Sequence, residues 1–377
     1  MILYISNGTE NNLFFELLNE GKIHSGSAVQ KFNNSIMRGL SEYENVVSLA
    51  VVGYGNTSEK RIEVDEEKIK YIVIENHAGR FHKIWNVYNL KKEGVKIIQS
   101  ECPRMILCDA IAESPCLISK MLARVFHIPS IGIITDLPGT ICGGEDAFSK
   151  RKRLMGFDGY ILLTDYMNTV VNPNNKPSII VEGLCSPDVP DCPEVNSQKR
   201  IIMYSGGLRR KITGIEYFVD GFLAADIPNC ELHFYGIGDL VGWIEDQSKC
   251  HPQIKYMGNV SNDEIVCRQK YASLLINPRP SNQEFCKYSF PSKTIEYMVS
   301  GVPVLMTRLP GVPNEYFNYV FTIKEETSAE ICDTLKHYFS ISNDERREFG
   351  LRARRFILEN KSCSAQSKRI YDFCQLF

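Results

Sequence analysis

The chain has 377 residues, which at about 150 residues per domain gives a prior of two to three domains. A formal charge of −2 excludes binding to nucleic acid through bulk electrostatics, which needs clustered positive charge. Hydrophobic residues make up 44 % and charged residues 23 %, which excludes a disordered chain, and no run of about 18 apolar residues is present to span a bilayer.

The opening run Ile2–Ile5 lacks a basic flank and a small-residue cleavage site, so it reads as a buried first strand rather than a signal peptide. Val46–Val52, Ile72–Ile74, Met105–Leu107, Ser130–Ile134, Gly159–Leu163 and Ser178–Val181 follow as further strands. They are near-continuous Ile/Val/Leu runs, the pattern of parallel strands covered on both faces. Helical patterns such as Ser27–Leu40 and Ser114–Phe126 lie between them, which gives repeated β-α alternation. The segment 185–199, with three prolines and almost no large apolar residues, reads as an interdomain linker. A second β-α series then runs through Ile201–Tyr204, Cys230–Tyr235, Ile254–Met257, Leu274–Asn277 and Val302–Leu305. Ser261 to Glu264 forms a capping-box pattern opening a helix that ends near Tyr271. Gly301 closes a predicted helix Pro291–Ser300, with Pro303 just beyond. The tail is helical. The resulting division is a first α/β domain over 1–185, a linker over 186–199, a second α/β domain over 200–345 and a helical tail over 346–377. Thirteen scattered cysteines without a C-x-x-C pair read as reduced thiols rather than zinc ligands or disulfides.

The segment Tyr288–Gly301, YSFPSKTIEYMVSG, carries the strongest chemical signal. A helix starting just after a strand presents free N–H groups and a dipole that favour an anion. Ser292 and Lys293 sit in its first turn, while Ile295, Met298 and Val299 form the apolar face. Glu296 lies off that face, where a carboxylate can accept hydrogen bonds from vicinal hydroxyls of a ribose. Equally, Lys293 and Glu296 can form an ordinary i,i+3 pair on a capped helix. In Tyr204–Gly214, YSGGLRRKITG, Gly206 and Gly207 allow close backbone approach, and Arg209, Arg210 and Lys211 put cations at the same rim. That combination suits a diphosphate, or else it is a solvated basic loop. Gly236–Gly238 reads as a plain strand-helix turn.

These residues resemble a known family. YSFPSKTIEYMVSGVPVLMTRLPG, with YSGGL, FYGIG and MGNVSNDEI upstream, is similar to the carboxyl-terminal domain of GT-B glycosyltransferases, above all sequence family 4 of the bacterial polysaccharide-building type. The resemblance implies an α/β fold of two Rossmann-like domains facing across a cleft, with the nucleotide-sugar donor on the second and the acceptor on the first. It further implies a retaining transfer to a surface polysaccharide or lipid-linked oligosaccharide, with no separate carboxylate nucleophile. Glu296 aligns with the second Glu of the family's Glu-x7-Glu motif, a ribose ligand; the first falls at Tyr288, with Glu284 nearby. Ser289, Phe290 and Pro291 match the small loop whose amides hold the diphosphate. Arg209 and Lys211, with Arg210 as the alternative, stand for the family's cation pair, and Gly258, Asn259 and Val260 for the stretch that meets the base. Gly26 and Ser27 match a small-residue loop near donor and acceptor, or cap a helix at Ser25 or Ser27. Asp136, after a strand, contacts an acceptor hydroxyl or caps its own loop. In this reading Asp136, Lys293 and Arg209 are the catalytic candidates, and the other residues named bind donor.

No D-x-D at a strand end and no clustered His/Cys is present, so the expectation is an enzyme without metal or resident cofactor. A non-catalytic sugar-nucleotide-binding or scaffold protein, which the Tyr288 replacement favours, and a same-fold nucleotide-sugar epimerase stand as alternatives. The expected location is cytoplasmic, with peripheral contact at the inner face of the plasma membrane. Two segments motivate that contact. Arg80–Lys92 places Phe81, Ile84, Trp85 and Tyr88 at helical spacing with cations at its ends, and Lys150–Arg153 precedes Leu154–Phe157. The first segment reads equally as a helix packed on the sheet.

Overall fold

The computed structural model describes residues 1–23, 27–55, 61–77, 82–139, 147–185, 192 and 199–377. The chain divides into two compact units, one of Met1–Leu184 with Cys363–Phe377 and one of Cys185–Ser362.

In the first unit eight strands form one sheet. They are β1 (Ile2–Ser6), β2 (Val46–Gly55), β3 (Arg61–Glu66), β4 (Ile69–His77), β5 (Met105–Asp109), β6 (Ser130–Ile134), β7 (Gly159–Leu162) and β8 (Ser178–Ile180). Their order is β3-β4-β2-β1-β5-β6-β7-β8, parallel except for β3. The sequence reading missed β3. Its run RIEVDE is charged at every second or third position, as an outer strand turned back on β4 through Glu67 at φ 50° permits. The helices are α1 (Asn11–Asn19), α2 (Ser27–Ser41), α3 (His82–Glu101), α4 (Glu113–Phe126), α5 (Ala147–Arg153) and α6 (Asn168–Val171). Alternation along β1 explains the layering. Ile2 and Tyr4 pack with Ile36, Met37 and Leu40 of α2, while Leu3 and Ile5 pack with Leu90 and Ile97 of α3 and Ile118 and Leu122 of α4.

The second unit has six parallel strands: β9 (Arg200–Ser205), β10 (Cys230–Tyr235), β11 (Ile254–Tyr256), β12 (Leu274–Asn277), β13 (Val304–Thr307) and β14 (Phe321–Ile323). Their order is β11-β10-β9-β12-β13-β14. The three-residue β14 also escaped the sequence reading. The helices are α7 (Arg210–Thr213), α8 (Ile215–Ala225), α9 (Val241–Cys250), α10 (Asn262–Lys270), α11 (Lys293–Ser300), α12 (Ser328–Ser340) and α13 (Asn343–Asn360). Phe218 and Phe222 of α8 and Ile331 and Leu335 of α12 cover one face of this sheet. The Ser261 cap forms, its hydroxyl accepting the Glu264 N–H at 3.3 Å, and Gly301 ends α11 in the left-handed region at φ 79°.

One expectation is refined and one corrected. The tail over 346–377 is helical, and it divides between the two units. The helix α13 stays with the second unit, whereas α14 (Cys363–Cys374) returns to the first. Its Ile370, Phe373 and Cys374 join the α2 layer, and Gly39 lets the two helices close, because a Cβ there would meet Ser367 Oγ at 1.9 Å. The thiols are not all free. Cys192 and Cys267 form a disulfide across 75 residues of sequence, a pairing that spacing alone cannot reveal. The other ten described cysteines form no disulfide. Most of the 186–199 linker lies outside the described residues.

Candidate functional site

Strand order decides where each sheet can receive a ligand. In an open parallel sheet, successive crossovers that leave in opposite directions open a crevice at the carboxyl ends of the two strands where the order reverses. In the second unit that point lies between β9 and β12. Ser205, Gly206 and Gly207 stand at the end of β9, and Asn277, Pro278 and Arg279 at the end of β12.

The end of β9 is clamped from two helices. The fully buried Tyr297 hydroxyl of α11 accepts the Ser205 N–H at 2.9 Å and donates to the Ser205 carbonyl at 3.1 Å. Gln269 of α10 donates to the Ser205 hydroxyl at 3.3 Å. Beyond the clamp, Gly206 takes φ 132° and donates its N–H to the Tyr235 carbonyl at 2.9 Å. The Gly236–Gly238 turn braces the same loop. Leu208 N–H donates to Ile237 O at 2.8 Å and Arg210 N–H to the Asp239 carboxylate at 2.9 Å. That turn, read from sequence as a plain connection, thus buttresses the Gly206–Arg210 loop.

Lys293 opens α11 and leans back over β9. Its Nζ donates to the Tyr204 hydroxyl at 2.7 Å and stands 4.2 Å from the centre of the Tyr204 ring. Tyr204 in turn donates to the Gly207 carbonyl at 3.0 Å. A Cβ on Gly206 would sit 2.2 Å from Nζ, so the glycine makes the room that the ammonium occupies. Lys293 forms no ion pair with Glu296 among the described residues; its ammonium turns to the Tyr204 hydroxyl instead. Burial, reinforced by the Arg279 charge and opposed by Glu296, pulls the Lys293 ammonium down to about 7. Burial likewise pulls Arg279 below the ordinary arginine range. Arg279 escaped the sequence reading. The signal available was its place directly after the β12 run, which gains meaning only once β12 lies beside β9.

The remaining predicted residues of the second unit have different surroundings. Ser289 accepts the Arg279 guanidinium at 3.3 Å. Phe290 is buried against Tyr316, ring centres 5.2 Å apart, and Pro291 is buried beside it. Tyr288 is half-buried and closes a turn through its N–H to Phe285 O. Ser292 is exposed, its carbonyl accepting the Ile295 and Glu296 N–H groups, and Glu296 is exposed in the first turn. Glu284 is exposed one short turn upstream. Arg209 and Lys211 are exposed, while Arg210 pairs with Glu216. Gly258 accepts the Gly236 N–H at 2.9 Å, Asn259 is exposed and Val260 half-buried. Beside them Ile237 and Met257 expose apolar side chains, at 65 % and 38 %.

In the first unit Gly26 lies outside the described residues, and Ser27 opens α2 with its side chain outside them. Asp136 is exposed after β6 and accepts its own Leu137 N–H at 2.8 Å, which is the loop-capping geometry. The reversal of strand order falls elsewhere, between β1 and β5. There Tyr4 donates to Asn33 at 2.6 Å, and Asn33 donates to the Asp109 carboxylate at 3.2 Å. Burial pushes the Asp109 carboxyl up, with Asn33 and the Ile111 N–H pulling it back. Sequence reasoning missed Asn33 and Asp109; an acid closing the buried run Met105–Asp109 was the available signal. Among the described residues no group of three or more His, Cys, Asp or Glu side chains could hold a metal ion.

Comparison with known proteins agrees with this geometry. Residues 199–339 match the family model of glycosyl transferases group 1. The chain is similar in structure to the sucrose-phosphate synthase of Thermosynechococcus elongatus, with TM-score 0.69, 11 % identity and coverage of 100 % of this chain and 98 % of the other. It is similar to HepE of Anabaena in complex with UDP and glucose, with TM-score 0.65, 11 % identity and full coverage of both chains. It is also similar to the lipopolysaccharide outer core galactosyltransferase WaaB in its apo form, with TM-score 0.63, 13 % identity and coverage of 99 % and 98 %. No curated protein sequence matches the chain. Residues 199–339 thus resemble the group 1 glycosyl transferases, and the fold of the chain is that of the GT-B glycosyltransferases.

Proposed function

We propose that this protein moves a sugar, with retention of configuration, from a nucleotide-diphosphate donor to a surface polysaccharide or lipid-linked oligosaccharide acceptor. The observation that carries the donor half of the reading is Lys293, held over Gly206 at the strand-order reversal with Arg279 beside it. As the glycosidic bond breaks, negative charge grows on the leaving diphosphate. Two cations fixed in a half-buried site stabilise that charge without reorganising. In this reading Glu296 takes the ribose hydroxyls and the apolar Ile237 and Met257 flank the base beside Gly258–Val260. The complex of HepE with UDP and glucose supports a uridine donor. Retention follows from the family resemblance: the departing diphosphate oxygen takes the proton of the incoming hydroxyl, and the chain needs no carboxylate nucleophile. The acceptor is assigned to the first unit, where Asp136 and the Asn33–Asp109 pair are its polar candidates.

Purified protein incubated with a panel of UDP-sugars in excess EDTA should turn donor over as fast as without chelator, because this reading gives the reaction no metal. Glu296→Ala should weaken UDP binding by about 1.5–3 kcal/mol, the scale of hydrogen bonds to a charged group. A wild-type protein that ignores UDP refutes the donor site. UDP binding without turnover on any sugar favours the scaffold reading, for which the Tyr288 replacement speaks.

The proposal includes peripheral contact with an anionic membrane, such as the inner face of the plasma membrane. Among the described residues no helix is long and apolar enough to cross a bilayer. The helix α3 both packs and projects. Leu90 is buried on the sheet, whereas Ile84, Trp85 and Tyr88 stand 67 %, 45 % and 54 % exposed, with the exposed Lys91 one turn on. Phe81 lies outside the described residues. In the basic run only Lys150 and Lys152 are exposed. Arg151 donates to Pro138 O at 3.0 Å and Arg153 to Ile111 O at 3.3 Å, so these two brace loops. Lys150→Ser with Lys152→Ser should therefore reduce salt-sensitive co-sedimentation with anionic vesicles while leaving the fold intact, each lysine contributing about 1 kcal/mol. Wild-type protein that stays in the supernatant at low salt removes membrane contact from the proposal.

A further inference from the structure

Arg279 is held as a binding group is held, yet among the described residues no carboxylate pairs with it. Its backbone is fixed on both sides. The Pro278 carbonyl accepts the Tyr217 hydroxyl and lies so close to Gly214 that a Cβ there would meet it at 2.0 Å. The Pro280 carbonyl accepts the Cys286 thiol at 3.2 Å, and the Ser281 N–H donates to the Glu326 carboxylate at 2.7 Å. The side chain is half-buried, with its guanidinium 5.5 Å from the centre of the Phe285 ring. Among the described residues its hydrogen-bond partner is neutral, the Ser289 hydroxyl. A guanidinium has five N–H donors in a rigid fork, so most of its donor capacity is unspent. Neither Arg279 nor Lys293 forms an ion pair among the described residues, and each stands in the other's field. Two like charges in a half-buried pocket are costly unless an anion joins them.

We infer that Arg279 is a binding residue for the donor's diphosphate, its fork completing with Lys293 a two-cation cradle at the end of β12. The inference rests on the donor reading given above and deepens it. It places the second cation on the loop after β12, whereas sequence reasoning sought it among Arg209, Arg210 and Lys211. Those three are exposed, and Arg210 is already paired with Glu216. A planar fork suits phosphate oxygens in a way a point charge does not.

The test is calorimetric titration of wild type, Arg279→Gln and Arg279→Lys with UDP and with inorganic pyrophosphate, and turnover of the donor found above. Arg279→Gln should weaken both ligands about 10- to 100-fold, and Arg279→Lys, which keeps charge and loses the fork, by less. In turnover the Gln variant should lose kcat as well as raise KM, because charge on the diphosphate is greatest in the transition state. Melting temperatures of the ligand-free variants separate a binding role from a structural one. Should Arg279→Gln fail to fold, the Lys variant decides by the same titration. Wild type that binds UDP while both folded variants bind it equally well overturns the inference and leaves the donor site standing. Wild type that binds neither ligand overturns the donor reading itself.

Discussion

Lys293→Met should cost about 10²–10³-fold in turnover, the scale for removing one preorganised donor to a developing anion, and should at the same time stabilise the ligand-free protein. Both effects come from one ammonium that the fold desolvates. In the folded chain it titrates at about 7, against an ordinary lysine value of 10.5. Between those values the unfolded chain binds more protons, so ligand-free stability rises with pH across the interval. Below 7 the folded state must carry the unfavourable charge in full. Methionine keeps the volume and removes that penalty. Tyr204 is not orphaned by the change, because its hydroxyl still donates to Gly207 O. Melting curves at pH 6, 8 and 10 should therefore show a wild-type rise that the variant lacks. Ligand binding has the opposite slope. Above pH 7 the ammonium must take up a proton to meet the diphosphate, so wild-type affinity should fall as pH rises. Calorimetry at pH 8 in two buffers of different ionisation enthalpy should find proton uptake in wild type and none in Lys293→Met. Burial sets this titration, with the Arg279 charge on the loop after β12 adding to it and Glu296 of the same helix opposing it. A variant with wild-type turnover and an unchanged pH slope of stability defeats the assignment.

Gly236→Ala should be among the most damaging single methyls in the second unit, with a loss of about 2–5 kcal/mol from backbone strain and collision together. Gly236 holds φ 124°, and a Cβ on it would lie 2.0 Å from the Gly206 carbonyl oxygen. That obstacle is backbone, pinned by the Tyr297 and Gln269 clamp on Ser205, and cannot swing aside. Gly206→Ala differs in kind. It shares the backbone strain, at φ 132°, but its Cβ would meet the flexible end of Lys293 rather than backbone, so the loss should be smaller while the ammonium is displaced from the site. Gly242 of α9 is the control. Nothing lies within 4 Å of a Cβ there, and Gly242→Ala should stabilise by about 0.5–1 kcal/mol. Urea midpoints of the three variants should rank accordingly. Equal midpoints for Gly236→Ala and wild type would mean that the two loops are not packed as described.

The sequence by itself determined the β-α alternation, most strands of both sheets, the Ser261 and Gly301 helix signals, and the placement of Lys293 and Glu296 in one helical turn. These are local properties, since a strand's apolar run, a cap and a helical face are all set within a few residues. Only the tertiary structure decided what those residues face. Lys293 could pair with Glu296 within its own helix; it meets Tyr204 instead, 89 residues away, because β9 carries glycine where the lysine descends. Arg279 and Asp109 are marked locally only by their place at the end of an apolar run, and they matter because strand order reverses beside them, between β9 and β12 and between β1 and β5. The return of α14 to the first unit and the Cys192–Cys267 bond have the same character. Each joins residues distant along the chain, and such pairings are chosen by burial of a whole face, which no single segment encodes.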